Sequence, residues 1–411
     1  MSDHSQSHVP PAILRESSLW LPSTHPWTRL PRIGLAMAVV GLGGALALGL
    51  ASPAARPQLW HSWLVASLFA LSIALGGLFF VLVQHATQAG WSVVVRRIAE
   101  NAMATLPFLA LLFAPLLLGM GDLFHWSHGE AVAADPLLQH KQPYLNVPFF
   151  ILRTVAYFAI WSGLSIWFGR LSRLQDQTGD QEITRRLRRA SAPGLLLFAF
   201  TVTFFSFDWL MSLNPHWYST IFGVYFFSGS MVGIFAFMSL IALDARRTGL
   251  LAEVISPEHM HDLGKLLFAF VAFWAYIGFS QFFLIWYGNL PEETVFFAVR
   301  LTGSWREATI LLALGHFVVP FFFLLPRTIK RNTSALAGAA FWLLFVHLLD
   351  LYWLVMPNLH PESLAPGLLD GAALLGSIGV FIAAFGWSLR RQALVPLRDP
   401  RLPESLLFEN P

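Results

Sequence analysis

The chain has 411 residues, 56% of them hydrophobic and only 12% charged, with a formal net charge of +3 and no cysteine. Soluble globular chains carry roughly a quarter charged residues, so this composition belongs to a membrane-embedded protein. Its basic balance comes from arginines in the connecting segments, not from a basic stretch interleaved with polar recognition residues, which argues against nucleic-acid binding. The lack of cysteine excludes thiolate-held iron–sulfur clusters, haem attached through a Cys-Xaa-Xaa-Cys-His motif, and disulfides.

Residues 1–30 are polar and proline-containing, with no compact apolar core behind a basic start. They read as an arm outside the membrane and not as a cleavable signal peptide. About 20 apolar residues are needed to cross the hydrocarbon core. That ruler predicts ten spans, at 32–51, 60–84, 102–121, 146–169, 193–213, 217–243, 263–288, 307–326, 335–356 and 368–389. The fold class is therefore all-α and polytopic: an arm (1–30), a ten-helix transmembrane domain (31–390) and a C-terminal tail (391–411).

Of the 26 Lys and Arg, only Arg56, Lys141, Arg153, Arg300 and Arg306 fall in or beside one set of loops. All the others, from Arg15 through Arg96, Arg97 and the run Arg185-Arg186-Leu187-Arg188-Arg189 to Arg401, fall on the side of both termini. Positive charge marks the cytoplasmic side, so both termini are expected in the cytoplasm. The arginine run is a topology anchor in reach of anionic lipid. Gly41-Leu42-Gly43-Gly44 in the first span permits close helix packing. The long external loop 122–145 gathers Asp122, His125, His128, Glu130, Asp135 and His140. Such a set can bind a metal, but a solvated or partner-docking loop is the commoner meaning.

Ionisable residues within the spans concentrate in the outer half. At the helical rise of about 1.5 Å per residue, Asp208 lies roughly 7 Å from the outer end of its span and Asp350 roughly 9 Å. Arg153 comes out roughly 10 Å deep, and His316 and His347 roughly 14 Å. Ser280 and Gln281 fall in the same outer half. Intramembrane ionisable groups turn to the bundle interior, pair with one another and mark functional sites by default. Arg153 with Asp208 is the natural salt bridge, either fixing helix register or tuning a site. Asp208, His316, His347 and Asp350 form a candidate proton path. Arg153, Asp208, Ser280 and Gln281 form a candidate ion pair or quinone-site wall. The matched depths of the two histidines also permit bis-His haem ligation. The aromatic runs Phe273-Trp274-Ala275-Tyr276 and Phe282–Tyr287 suit lipid contact and interfacial anchoring, or a quinone pocket.

Three stretches carry a resemblance. They are Tyr144-Leu145-Asn146-Val147-Pro148-Phe149-Phe150-Ile151-Leu152-Arg153, the segment Phe207-Asp208-Trp209 running through Asn214-Pro215-His216-Trp217 to Tyr225-Phe226, and Phe273 to Glu293. In this order they resemble the NrfD-like membrane subunits of alternative complex III, a bacterial quinol:cytochrome c oxidoreductase, and in particular the second of its two such subunits. The resemblance extends over about residues 30–390. It implies two four-helix bundles flanked by extra first and last helices, as in the polysulfide reductase membrane anchor. It further implies a home in the bacterial inner membrane. The implied partners are a multihaem cytochrome c, an iron–sulfur protein, a monohaem cytochrome c and a sister NrfD-like subunit. The haems and iron–sulfur clusters would then reside in those partners, with quinol as a diffusible cofactor. At Asn214 the family often has an acidic residue, which this chain lacks.

The leading expectation is thus a non-haem subunit that supports quinol oxidation and offers a proton path. The alternatives are that this subunit itself oxidises quinol, or that the chain is a stand-alone secondary transporter, against which no strong internal repeat is visible.

Overall fold

The computed structural model of the chain describes residues 19–410. The first eighteen residues of the expected arm, Arg15 among them, lie outside the described residues. Among the described residues there is no β-strand, and ten helices are long and apolar enough to cross a membrane. In chain order the spans are Pro26–Gly49, Pro53–Thr87, Val93–Leu117, Val147–Thr178, Gln181–Leu213, Phe222–Arg247, Pro257–Gly288, Gly303–Leu324, Thr333–Asn358 and Leu368–Leu389.

Several ends are written in local chemistry. Asn146 accepts the Phe149 N–H at 3.0 Å and Pro148 fits the first turn, which starts the fourth span. Ser256 and His259 form a reciprocal cap on the seventh span, again with a proline, Pro257, in the first turn. Gln88, Gly179 and Asn289 end the second, fourth and seventh spans in the left-handed region (φ 54°, 68° and 47°). Asn146 and Asn289 cap at the predicted limits, whereas the fourth span at its end and the fifth and seventh at their starts run about two to three turns past the limits predicted from hydropathy.

The connections sort to two faces. On one, Leu394 N–H bonds Leu19 O, Ser405 bonds Trp91 O, and Arg398 bonds Gln177 O. This is the terminal face. On the opposite face Trp126 bonds Ser212 O, His216 meets Asp135, and Trp305 bonds His360 O. The segment after the tenth span is therefore no free tail but a strap packed over the terminal face.

The spans build two four-helix bundles, the second to fifth and the sixth to ninth, with the second span buried along nearly its whole length between them. The first and tenth spans pair outside the bundles along a glycine seam. A Cβ on Gly41 would lie 2.2 Å from Gly376 N, and one on Gly379 would lie 2.4 Å from Ala38 N, so these positions admit only glycine. Of the stretch expected to pack closely, Gly41 does so, whereas Gly43 meets nothing within 4 Å. On the seventh span Tyr276, Phe279, Trp286 and Tyr287 are exposed, as lipid-facing side chains must be.

Candidate functional site: two aspartate clusters

The first bundle holds Asp208 completely buried near the opposite face. Arg153 donates Nε–H to Oδ2 and an NH2 proton to Oδ1, both at 2.8 Å, and Tyr157 donates its hydroxyl to Oδ2 at 2.7 Å. Arg153 and Tyr157 are four apart on the fourth span and so share the face that meets the fifth. The remaining guanidinium nitrogen bonds Tyr144 O at 2.9 Å, and the Tyr144 and Phe149 rings cover the group at 3.9 and 4.3 Å. The bidentate fork is the strong geometry for a guanidinium and a carboxylate. Both carboxylate oxygens of Asp208 are thus committed, and the Tyr144 hydroxyl is the member of the cluster left without a partner among the described residues.

The second bundle holds Asp350 differently. Its Oδ1 accepts the Tyr225 hydroxyl at 2.5 Å and its Oδ2 accepts the Trp274 indole N–H at 3.0 Å. Among the described residues no arginine or lysine pairs with it. The Arg300 guanidinium nearby instead bonds the carbonyls of Trp353 and Leu354, capping the end of the ninth span. His316 lies against the Trp274 indole with ring centroids 3.8 Å apart, and both of its ring nitrogens lack a partner. His347 bonds Ser72 through Nε2 at 2.8 Å, while Ser72 gives its own proton to Phe69 O at 2.8 Å. That arrangement assigns the His347 proton to Nε2 and leaves Nδ1 bare, on the Gly229 side where Asp350 Oδ2 also lies.

His316 sits in a π-helical turn, Ala313–Val318. Pro320, four residues on, supplies no N–H to the His316 carbonyl, which is a standard cause of such a widening. π-turns of this kind recur at functional sites.

One ligand atom from each of His316, His347 and Asp350 lies within 4.8 Å of the others, so among the described residues these form a group able to hold a metal ion or a shared proton. His316 rests on Trp274, while His347 neighbours Phe69 and Gly233. The 122–145 loop does not gather a comparable site. Its Asp122 pairs with Arg56 at 3.4 Å, and His128 bonds Gly121 O. Asp135 meets His216 at 2.6 Å, and that hydrogen bond holds its carboxyl below the usual value.

The structure therefore joins His316, His347 and Asp350 but separates Asp208, whose partners all come from the fourth span and its approach. The proposed wall is divided too. Arg153 and Asp208 belong to the first bundle, whereas Gln281 accepts the Ser219 hydroxyl at 2.9 Å beside the second, and Ser280 bonds neither charged residue. Gln281 lines an apolar cavity of about 390 Å3 between the seventh and eighth spans. Tyr225 and Trp274, the two residues that hold Asp350, form part of its wall.

A third cluster escaped the sequence reading. Arg96 and Arg97, read as loop charges, lie buried in the first turns of the third span. Arg96 bonds Glu100 (3.2 Å) and Asp399 (2.5 Å), and Arg97 bonds Glu100 (2.9 Å) and Asp176 (2.6 Å). Burial pushes the Asp399 carboxyl up, but the adjacent Arg96 guanidinium more than offsets this and holds it below its ordinary value. The spacing of Glu100 three and four residues after the arginines was the available signal, since it places all three on one helical face.

No protein-family profile matches the chain, and no curated protein matches it.

Proposed function

We propose that the chain is an integral, non-haem subunit of a quinol:cytochrome c oxidoreductase of the alternative complex III kind, whose second bundle handles protons released on quinol oxidation. The observation that carries this reading is Asp350. A carboxylate buried without a counter-ion is costly, and here the neighbouring groups are two histidines with bare ring nitrogens, not a cation. A mobile proton completes such a set, passing between Asp350 and His347 Nδ1 or His316. Tyr225 orients the carboxylate and Ser72 fixes the His347 tautomer. Asp208 is excluded from the path by its bidentate clamp.

On this reading the partners are a multihaem cytochrome c, an iron–sulfur protein, a monohaem cytochrome c and a sister NrfD-like subunit, and these hold the haems and clusters. The protein lies in the bacterial cytoplasmic membrane with its terminal face toward the cytoplasm, which the placement of most arginines supports. The 390 Å3 cavity favours one further reading, in which this subunit itself binds quinol. Gln281, Tyr225 and Thr309 are the polar groups at its wall, and electrons would leave to a partner's cluster.

Purification through a tag on this chain tests the assignment. A complex subunit brings haem-stained polypeptides and an iron–sulfur signal in constant ratio. Isolation of the chain alone, active in solute uptake, would establish the transporter reading in its place.

A further inference from the structure

We propose that the terminal face carries a binding site for an anionic phospholipid, set between the fourth and tenth spans with the third span as its floor. A cavity of about 660 Å3 opens there. Arg170 and Arg173, neighbours on the fourth span, line it together with Arg391, just past the end of the tenth. The nearby carboxylates are already committed: Glu100 binds Arg96 and Arg97, Asp176 binds Arg97, and Asp399 binds Arg96. Glu100 reaches the cavity wall, but Arg96 bonds its Oε1, and Arg97 and Ser172 bond its Oε2. Among the described residues, Arg170, Arg173 and Arg391 therefore have no ion-pair partner, and the Arg391 guanidinium rests on the Trp387 ring at 3.7 Å.

Toward the membrane the lining turns apolar, with Pro107, Phe108 and Ile166. Ile166 is 40% and Trp387 42% exposed, so the cavity is open on its lipid side. Positive charge at one end and an apolar, lipid-open slope at the other match a phospholipid: phosphate on the guanidiniums, acyl chains over Ile166, Phe108 and Trp387. Basic pockets between transmembrane helices bind such headgroups. Three cations favour a lipid with two phosphates, of the diphosphatidylglycerol class. A free phosphate would use the arginines and leave the slope without a role. This inference is independent of the proton path in the second bundle.

The test is native mass spectrometry on the intact purified assembly, delipidated and reloaded in turn with diphosphatidylglycerol, phosphatidylglycerol, phosphatidylcholine and inorganic phosphate. Retention of the two-phosphate lipid over the others, with a rise in melting temperature, is expected. Arg170→Gln/Arg173→Gln/Arg391→Gln should weaken its binding roughly 100-fold, on the basis of about 1 kcal/mol for each arginine. The corresponding triple Lys variant should keep most of the binding. Arg306→Gln, an exposed residue beside Trp305 on the opposite face, should change nothing. Equal retention of phosphatidylcholine, binding of phosphate alone, an unaffected triple Gln variant, or a protein subunit seated in the cavity would each overturn the proposal. The melting response of the unmodified protein needs no variant and stands if a variant fails to fold.

Discussion

Each bundle buries one aspartate close to the opposite face, near the end of its last helix, and each gives it a tyrosine hydroxyl. In the first bundle Arg153 closes both carboxylate oxygens of Asp208 in a fork. In the second an indole takes that place at Asp350, and the arginine available there, Arg300, is spent on backbone carbonyls. Depth and residue type do not tell the two carboxylates apart. The counter-ion does. Protonating Asp208 breaks an ion pair, whereas protonating Asp350 removes an unpaired charge from a low-dielectric interior.

The largest expected effect falls on the clamped side. Asp208→Asn strands a buried guanidinium and should cost about 3–5 kcal/mol, read as loss of folded protein in detergent melts. Replacing Arg153 and Asp208 together with Met and Leu should restore much of that stability, because neither charge is then left alone. Asp350→Asn should do the reverse: the protein folds near normally, while coupled turnover falls about a hundredfold or more, the scale of a lost proton-transfer group. Equal melting losses in the two aspartate variants would erase the distinction between the bundles. Outside both bundles, Gly376→Leu should force the first and tenth spans apart at a cost of about 1–3 kcal/mol, visible as protease sensitivity of the first span without loss of turnover. Ser72→Ala should cost about 1 kcal/mol by removing the partner of His347 Nε2, and it should alter the pH profile of turnover more than melting.

The smallest effect is at the terminal face. The Asp399 carboxyl lies below its ordinary 3.8 when folded, so its contribution is present above that pH and is lost as pH falls through the folded value. Release of the 391–410 strap to protease should therefore begin only below about pH 4. Release already at pH 6 would show that the Arg96–Asp399 pair does not hold the strap.

The sequence made the ten spans readable because hydropathy depends on composition along the helix and not on what the helix touches. The Arg153–Asp208 pair was readable for the same reason, as two opposite charges at similar depth. Helix facing was not. The sequence puts Asp208 in one path with Asp350 because both lie toward the ends of their spans away from the terminal face, and only the bundle boundary separates them. Ser280 and Gln281 were grouped with Arg153 on depth alone, though they lie on the seventh span. For Trp274 lipid contact and a pocket wall both stay open in the sequence, because nothing in Phe273-Trp274-Ala275-Tyr276 tells which ring turns inward. Structure turns Trp274 onto Asp350 and leaves Tyr276 exposed. Arg96, Arg97 and Glu100 were hidden by a hydropathy window that begins after them, although the helix starts at Val93.

Proton release during quinol oxidation by the intact assembly, compared between Asp350→Asn and Asp208→Asn in equally assembled material, tests the central claim most directly. Asp350→Asn should assemble fully but lose turnover and its linked proton release. Whatever Asp208→Asn protein survives purification should release protons normally per quinol oxidised. Full turnover with unchanged proton release in Asp350→Asn would contradict that claim.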